Sequence, residues 1–120
     1  MRVMVIGASK DRKKYGNKAV RAFMREGHTV LPVNPNETEI EGLEVYETVA
    51  DVPGPIDRVT VYLPTRFGIS AMKALGKRDD VGEVWLNPGA DEPEVVAAAR
   101  EAGYEPILAC SIIAIGEMPE

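Results

Sequence analysis

The sequence has almost none of the residues that build covalent or metal cross-links. Among its 120 residues there is one cysteine, Cys110, and one histidine, His28. A single cysteine cannot form a disulfide within the chain, and a lone histidine does not supply an ordinary metal-ligand set. We therefore expect no bound metal and a reducing, cytoplasmic environment.

Long apolar runs and an excess of basic residues are also missing. No apolar run approaches the roughly 20 residues that span a bilayer, and a strand pattern begins at once, without the charged and apolar segments of a signal peptide. The formal net charge is −5, whereas nucleic-acid binding requires a broad basic face. We expect neither a membrane nor a nucleic acid as partner, and nothing in the sequence indicates a protein partner.

The chain does contain short apolar runs that alternate with helical patterns. The composition is that of one folded domain over residues 1–120. Strands are predicted over residues 2–6, 28–33, 58–63, 84–86 and 105–109, and helices over 15–25, 67–75 and 94–102. Residues 36–55 form a long connection with a short helical turn near Val49, and the tail at 112–115 is expected against the edge of the last strand.

This alternation predicts the fold class. Strands and helices in strict succession form a parallel sheet with right-handed crossovers. We expect an α/β, doubly wound, Rossmann-like sheet of about five strands in the order 3-2-1-4-5, with helices on both faces.

Turns rich in glycine, proline and asparagine follow the first four predicted strands. In such a sheet these turns meet at the carboxyl ends of the strands, where the strand order reverses and ligands bind. The sequence therefore predicts a single crevice. Its candidate residues are Gly7, Ala8 and Ser9 in the first turn, Val33, Asn34 and Pro35 in the second, Leu63, Pro64 and Thr65 in the third, and Asn87, Pro88 and Gly89 in the fourth.

The first of these turns has the features of an anion site. Gly7 permits a sharp turn after the strand, and the small residues after it let the backbone approach a bulky anion. The helix that follows presents free amides and the positive end of its dipole. Basic residues lie in the same segment, and we expect a pyrophosphate there, held by the loop from Gly7 to Gly16. The additional candidates are Lys10, Lys14, Tyr15 and Gly16.

The loop does not match the common nucleotide-binding patterns. Ser9 stands where a dinucleotide fingerprint has its second glycine, Gly16 comes too late, and no Lys-Ser or Lys-Thr pair follows a glycine as in a phosphate loop of the Walker type. The second strand ends in Val33-Asn34-Pro35, without the acidic residue that binds the ribose of NAD. A ligand without a free ribose diol at this turn fits better.

Several motifs in order resemble a known family. Gly7-Ala8-Ser9 with Lys14-Tyr15-Gly16, then Val33-Asn34-Pro35, and the segment from Val84 to Gly89 are similar to those of small CoA-binding proteins. These proteins are related to the CoA-binding domain of the succinyl-CoA synthetase α subunit, and the resemblance covers nearly the whole chain.

The resemblance implies coenzyme A or an acyl-CoA as the ligand. Ser9 and the amides around it, with Lys14, Tyr15 and Gly16, would contact the phosphates. Asn34 and Pro35 would flank the adenosine, and the turn at Leu63, Pro64 and Thr65 would form the opposite wall.

No catalytic constellation is found in the sequence. His28 falls at the amino end of its strand, far from the crevice, and succinyl-CoA synthetase uses a phosphorylated histidine in a domain that this chain lacks. We therefore expect non-catalytic binding. The alternatives are a subunit or domain of a CoA ligase that needs a partner chain, an NAD-linked reductase, and a redox sensor that uses Cys110. The acyl group, the oligomeric state and the orientation of Cys110 are left open.

Overall fold

The computed structural model describes residues 1–120 as one α/β unit. In chain order the elements are β1 Arg2–Ile6, α1 Tyr15–Arg25, β2 Thr29–Val33, β3 Glu39–Ile40, β4 Leu43–Glu44, a 3₁₀ turn at Val49–Asp51, β5 Ile56–Val61, α2 Thr65–Leu75, β6 Val81–Leu86, α3 Pro93–Glu101, β7 Ile107–Leu108 and α4 Ser111–Ala114. None of these helices has the length and apolar character needed to cross a membrane.

The main sheet confirms the predicted fold class. Five strands lie in the spatial order β2-β1-β5-β6-β7, and every pairing between neighbours is parallel. Helices cover both faces, because the strands are joined by crossovers that must leave and re-enter the sheet. The carboxyl ends of β1 and β5 lie side by side, at the place where the direction of winding reverses.

The strand order 3-2-1-4-5 is found, but a different segment occupies the position predicted for the third strand. Tyr46 lies there, on the outer side of β2, and forms a single parallel bridge with Val33. The segment expected as third, residues 58–63, forms β5 beside β1, and β6 and β7 follow in the next two places. β5 pairs with β1 on one side and with β6 on the other, so it lies in the interior of the sheet and not at its edge.

Three local features differ from the expectations. A hairpin of β3 and β4 lies inside the connection after β2, with Glu41 and Gly42 at its turn. The last strand, β7, has only two residues, since the preceding Pro106 has no amide to donate to a ladder. The tail folds as α4, and its Ile112 packs against α1 and the sheet face rather than on the β7 edge.

Side chains at alternate positions of each strand point to opposite faces of the sheet and form two hydrophobic cores. Met4 and Ile6 of β1 point into the larger core, beneath α2 and α3. Val3 and Val5 point to the opposite face, beneath α1 and α4. This period of two is the expected consequence of strand geometry, and it anchors β1 from both sides directly below the first loop.

Candidate ligand-binding crevice

Close backbone packing shapes the first loop at Gly7. This residue has a φ of 88°, in the left-handed region that favours glycine. A Cβ at this position would overlap the carbonyl oxygen of Tyr62 and lie 3.1 Å from Cδ2 of Leu63. A Cβ on Gly16 would likewise overlap the carbonyl oxygen of Gly7. The loop therefore crosses directly over the end of β5, and α1 begins in contact with the loop.

Unpaired amides line this loop and the start of α1. Lys14 occupies the N-cap position of α1, and no side chain caps the helix. Free amides at a helix N-terminus, together with the helix dipole, favour binding of an anion. The residues whose N–H groups donate to no acceptor in the chain are Ala8, Ser9, Lys10, Arg12, Tyr15 and Gly16.

Side-chain amides hold the carbonyl groups of the same loop. Nδ2 of Asn34 donates to the carbonyl oxygen of Ala8 at 2.8 Å, and Nδ2 of Asn17 donates to that of Ser9 at 2.9 Å. Sequence reasoning included Asn34 but missed Asn17. The signal that could have identified Asn17 is its position as a polar residue on the buried face of α1, near Gly16 and Val20.

Two of the basic side chains near the loop already have acidic partners. Lys10 Nζ lies 3.2 Å from an oxygen of Glu37, and Arg12 Nε lies 3.6 Å from one of Glu41. Lys13 and Lys14 have no carboxylate partner. A phosphate at the loop would therefore find two uncompensated ammonium groups in this segment.

The predicted second and third turns lie on either side of this loop. Val33 is buried at the end of β2, and Pro35 is exposed two residues later. On the β5 side, the half-buried Leu63 contacts the larger core, Pro64 occupies the N-cap of α2, and Thr65 is its first residue. The structure thus brings the first three predicted turns together.

The fourth turn is different, because the side chain of Asn87 is buried in a polar cluster. Its Nδ2 donates to Oγ1 of Thr60 at 2.7 Å and to the carbonyl oxygen of Val61 at 2.9 Å. Its Oδ1 accepts from the amide of Ser111 at 2.9 Å. Asn87 therefore joins β5, β6 and α4 from the inside, and only Pro88 and Gly89 of this turn are exposed.

Tyr62 and Cys110 lie next to this cluster. The hydroxyl of Tyr62 is 3.1 Å from Oγ of Ser111, and burial raises the pKa of Tyr62 above its ordinary value. Cys110 is a free, half-buried thiol that directly precedes α4 and packs against the smaller core, as Tyr62 does. Neither group forms a nucleophile–base pair.

Two further ring side chains lie away from the crevice. Trp85 in β6 is 9% exposed, and the guanidinium of Arg58 lies 4.6 Å from the centre of its ring. His28 precedes β2 at the amino end of the sheet, with Nδ1 3.0 Å from the nitrogen of Met1. The only imidazole is therefore at the end of the sheet opposite the candidate site.

Fold and site together define a Rossmann-like domain whose first loop carries unpaired backbone amides. The chain matches the family model of the CoA binding domain over residues 1–116 and belongs to that family. The resemblance inferred from the sequence motifs is thereby confirmed.

Similar proteins include two longer CoA-dependent enzymes and one chain of similar length. The α subunit of ADP-forming acetate–CoA ligase II from Pyrococcus furiosus is 32% identical over 111 residues, which are 84% of this chain and 24% of that subunit. The dinucleotide-forming acetyl-coenzyme A synthetase 1 of Ca. Korarchaeum cryptofilum, solved with phosphate and ADP, aligns with a TM-score of 0.74 and 29% identity over 88% of this chain and 25% of that one. A conserved hypothetical protein from Pyrococcus furiosus aligns with a TM-score of 0.83 and 31% identity over 94% of this chain and 97% of its own. The chain thus spans about a quarter of these two CoA-dependent enzymes.

The buried position of Asn87 leads to a prediction about stability. Asn87→Ala should lower the free energy of unfolding by about 2–3 kcal/mol, because it leaves the Ser111 amide and neighbouring buried groups without partners. Urea unfolding followed by circular dichroism measures this loss. Ser70→Ala, an exposed hydroxyl on α2, is the control and should change little. A stability of Asn87→Ala equal to that of the wild type would contradict the assigned role.

Proposed function

We propose that this protein binds coenzyme A or an acyl-CoA without catalysing a reaction on it. The observation that carries the proposal is the set of unpaired amides at the first loop and the start of α1, in a chain of the CoA binding domain family. A pyrophosphate is the anion that such a loop accepts most readily, because several oxygens can bond to successive amides at a helix N-terminus.

The proposed phosphate contacts combine backbone and side chain. The hydroxyl of Ser9 accepts a hydrogen bond from the amide of Asp11 at 3.0 Å, so its proton is free to be donated to a phosphate oxygen. Tyr15 and Gly16 offer amides, and Lys14 offers an ammonium group. Lys10 would exchange its exposed pairing with Glu37 for a phosphate. The small residues Gly7 and Ala8 allow the close approach.

The proposed adenosine site lies between the second and third turns. Val33, Asn34 and Pro35 would form one wall, and Leu63, Pro64 and Thr65 the other, with Pro88 and Gly89 at the rim. The end of β2 carries Asn34 and Pro35, whereas NAD-binding enzymes place an acidic residue there for the ribose hydroxyls. This arrangement favours a ligand whose ribose is phosphorylated over NAD.

The side chains around the crevice support the proposal of binding without catalysis. His28 lies at the opposite end of the sheet, and burial raises the pKa of Tyr62, so this phenol is a weaker acid than a free tyrosine. General acid–base catalysis requires a group that can exchange a proton near the working pH, within hydrogen-bond reach of the ligand. The crevice residues identified above include no such group.

Isothermal titration with CoA, NAD and ATP tests the proposed ligand. We expect CoA to bind in the micromolar range and NAD to bind far more weakly. Micromolar binding of NAD with no measurable binding of CoA would refute the proposal.

A second experiment concerns the ammonium group at the start of α1. Lys14→Ala should weaken CoA binding about tenfold and reduce its dependence on salt, because it removes a charge-assisted contact to phosphate. Lys77→Ala is the matched control, since Lys77 is an exposed lysine that follows α2 near the amino end of the sheet. Equal affinities of these two variants would show that Lys14 is only a solvated surface residue.

A second candidate function is that of the CoA-binding part of an ADP-forming ligase assembled from separate chains. It is favoured by the similarity to a quarter of an acetate–CoA ligase subunit. Native mass spectrometry of the tagged protein, purified from its own cells, should then show a second chain in fixed stoichiometry. The complex, and not the isolated chain, should convert acetate, CoA and ATP to acetyl-CoA. Detection of this chain alone would count against this candidate.

A further inference from the structure

Asn17 is a buried polar side chain whose hydrogen-bonding groups are all engaged. Its Nδ2 donates to the carbonyl oxygen of Ser9 at 2.9 Å and to Oε2 of Glu41 at 3.1 Å. Its Oδ1 accepts from Nε of Arg21 at 2.7 Å. A fully satisfied buried amide has one favoured orientation, because any rotation would break bonds that water cannot replace.

This orientation determines which way the first loop presents its amides. In a trans peptide unit the C=O and the N–H of the next residue point in opposite directions. Asn17 holds the carbonyl of Ser9, so the N–H of Lys10 points away from Asn17. Asn34 holds the carbonyl of Ala8, so the N–H of Ser9 points away from Asn34. Both of these amides are unpaired in the chain, and successive free amides are a common component of anion-binding sites.

Glu41 supports Asn17 from the β3–β4 hairpin. It has a φ of 49°, in the left-handed region, at the turn of a tight hairpin. Such turns favour asparagine and glycine, so a glutamate is an unfavourable choice for the turn itself. At this position, however, its carboxylate reaches the side chain of Asn17 and lies 3.6 Å from Nε of Arg12.

We propose that Asn17 and Glu41 are positioning residues for the phosphate loop: Glu41 holds Asn17, and Asn17 turns the Ser9–Lys10 peptide so that its amide faces the ligand. The inference rests on the proposed function for the identity of the ligand and adds the hairpin as a part of the binding machinery. The two effects of Glu41 are opposed. Its hydrogen bond favours ligand binding, whereas its negative charge repels phosphates.

Paired variants of Glu41 separate these two effects. Glu41→Gln and Glu41→Ala remove the same charge and keep a Cβ at the same backbone conformation, but only glutamine retains an acceptor for Asn17. By isothermal titration with CoA, we expect Glu41→Gln to bind as tightly as the wild type or more tightly. Glu41→Ala should bind about fivefold more weakly than Glu41→Gln. Glu39→Gln, in the same hairpin without a side-chain bond, is the control for charge alone.

One result of this titration would contradict the proposal. Equal affinities of Glu41→Gln and Glu41→Ala would overturn the positioning role, and if both variants then bound CoA more tightly than the wild type, Glu41 would act by charge only. Thermal unfolding of both variants, with midpoints close to each other, establishes that they are compared in the folded state.

Amide resonances test the loop independently of CoA. In ¹⁵N–¹H spectra, the amides of Ser9 and Lys10 should shift downfield when inorganic pyrophosphate is added to the wild type, and less so in Glu41→Ala. Such shifts without CoA binding would refute the proposed function and leave this inference intact. CoA binding that leaves both amides unmoved would refute only this inference, and binding of neither probe would refute both.

Discussion

The crevice depends on the absence of side chains at Gly7 and Gly16. Any Cβ at Gly7 would meet the backbone of Tyr62, and any Cβ at Gly16 would meet the backbone of Gly7. These contacts place the first loop directly on the end of β5 and seat α1 on the loop. A Cβ at either glycine would press on backbone atoms, and these cannot move aside as the end of a flexible side chain can. This packing fixes the backbone of the loop, including the unpaired amides of Ala8 and Ser9.

Two buried asparagines hold backbone and side-chain groups in place near the contact between the first loop and β5. Asn17 connects the loop, α1 and the β3–β4 hairpin, whereas Asn87 connects β5, β6 and α4. A carboxamide suits both positions because it donates and accepts without carrying a charge that burial would disfavour. The groups that would meet the ligand are largely backbone amides. Side chains that orient this backbone, such as Asn17, would therefore influence binding without contacting the ligand.

The sequence predicted correctly those elements that are marked by a pattern of neighbouring residues. The bounds of β1 and α1 were predicted exactly as found, since a β-branched run ends at a glycine and an amphipathic helix is followed by Gly27, whose φ is 81°. The two-residue strands β3 and β4 were missed, because so short a segment shows no periodicity. The placement of β5 beside β1 also escaped the local reading, since sheet position depends on what a strand packs against.

The sequence by itself determined the alternation of strands and helices, the glycine-bounded first loop with its basic residues, and the membership of the CoA binding domain family. Tertiary structure decided which strand lies next to β1. It also decided which side chains remain without partners near the first loop and which form hydrogen bonds in the interior. The reason is that the deciding hydrogen bonds are not local. Asn17 and Glu41 are 24 residues apart, as are Asn87 and Ser111, and no pattern within one element reveals which distant partner a buried amide will find.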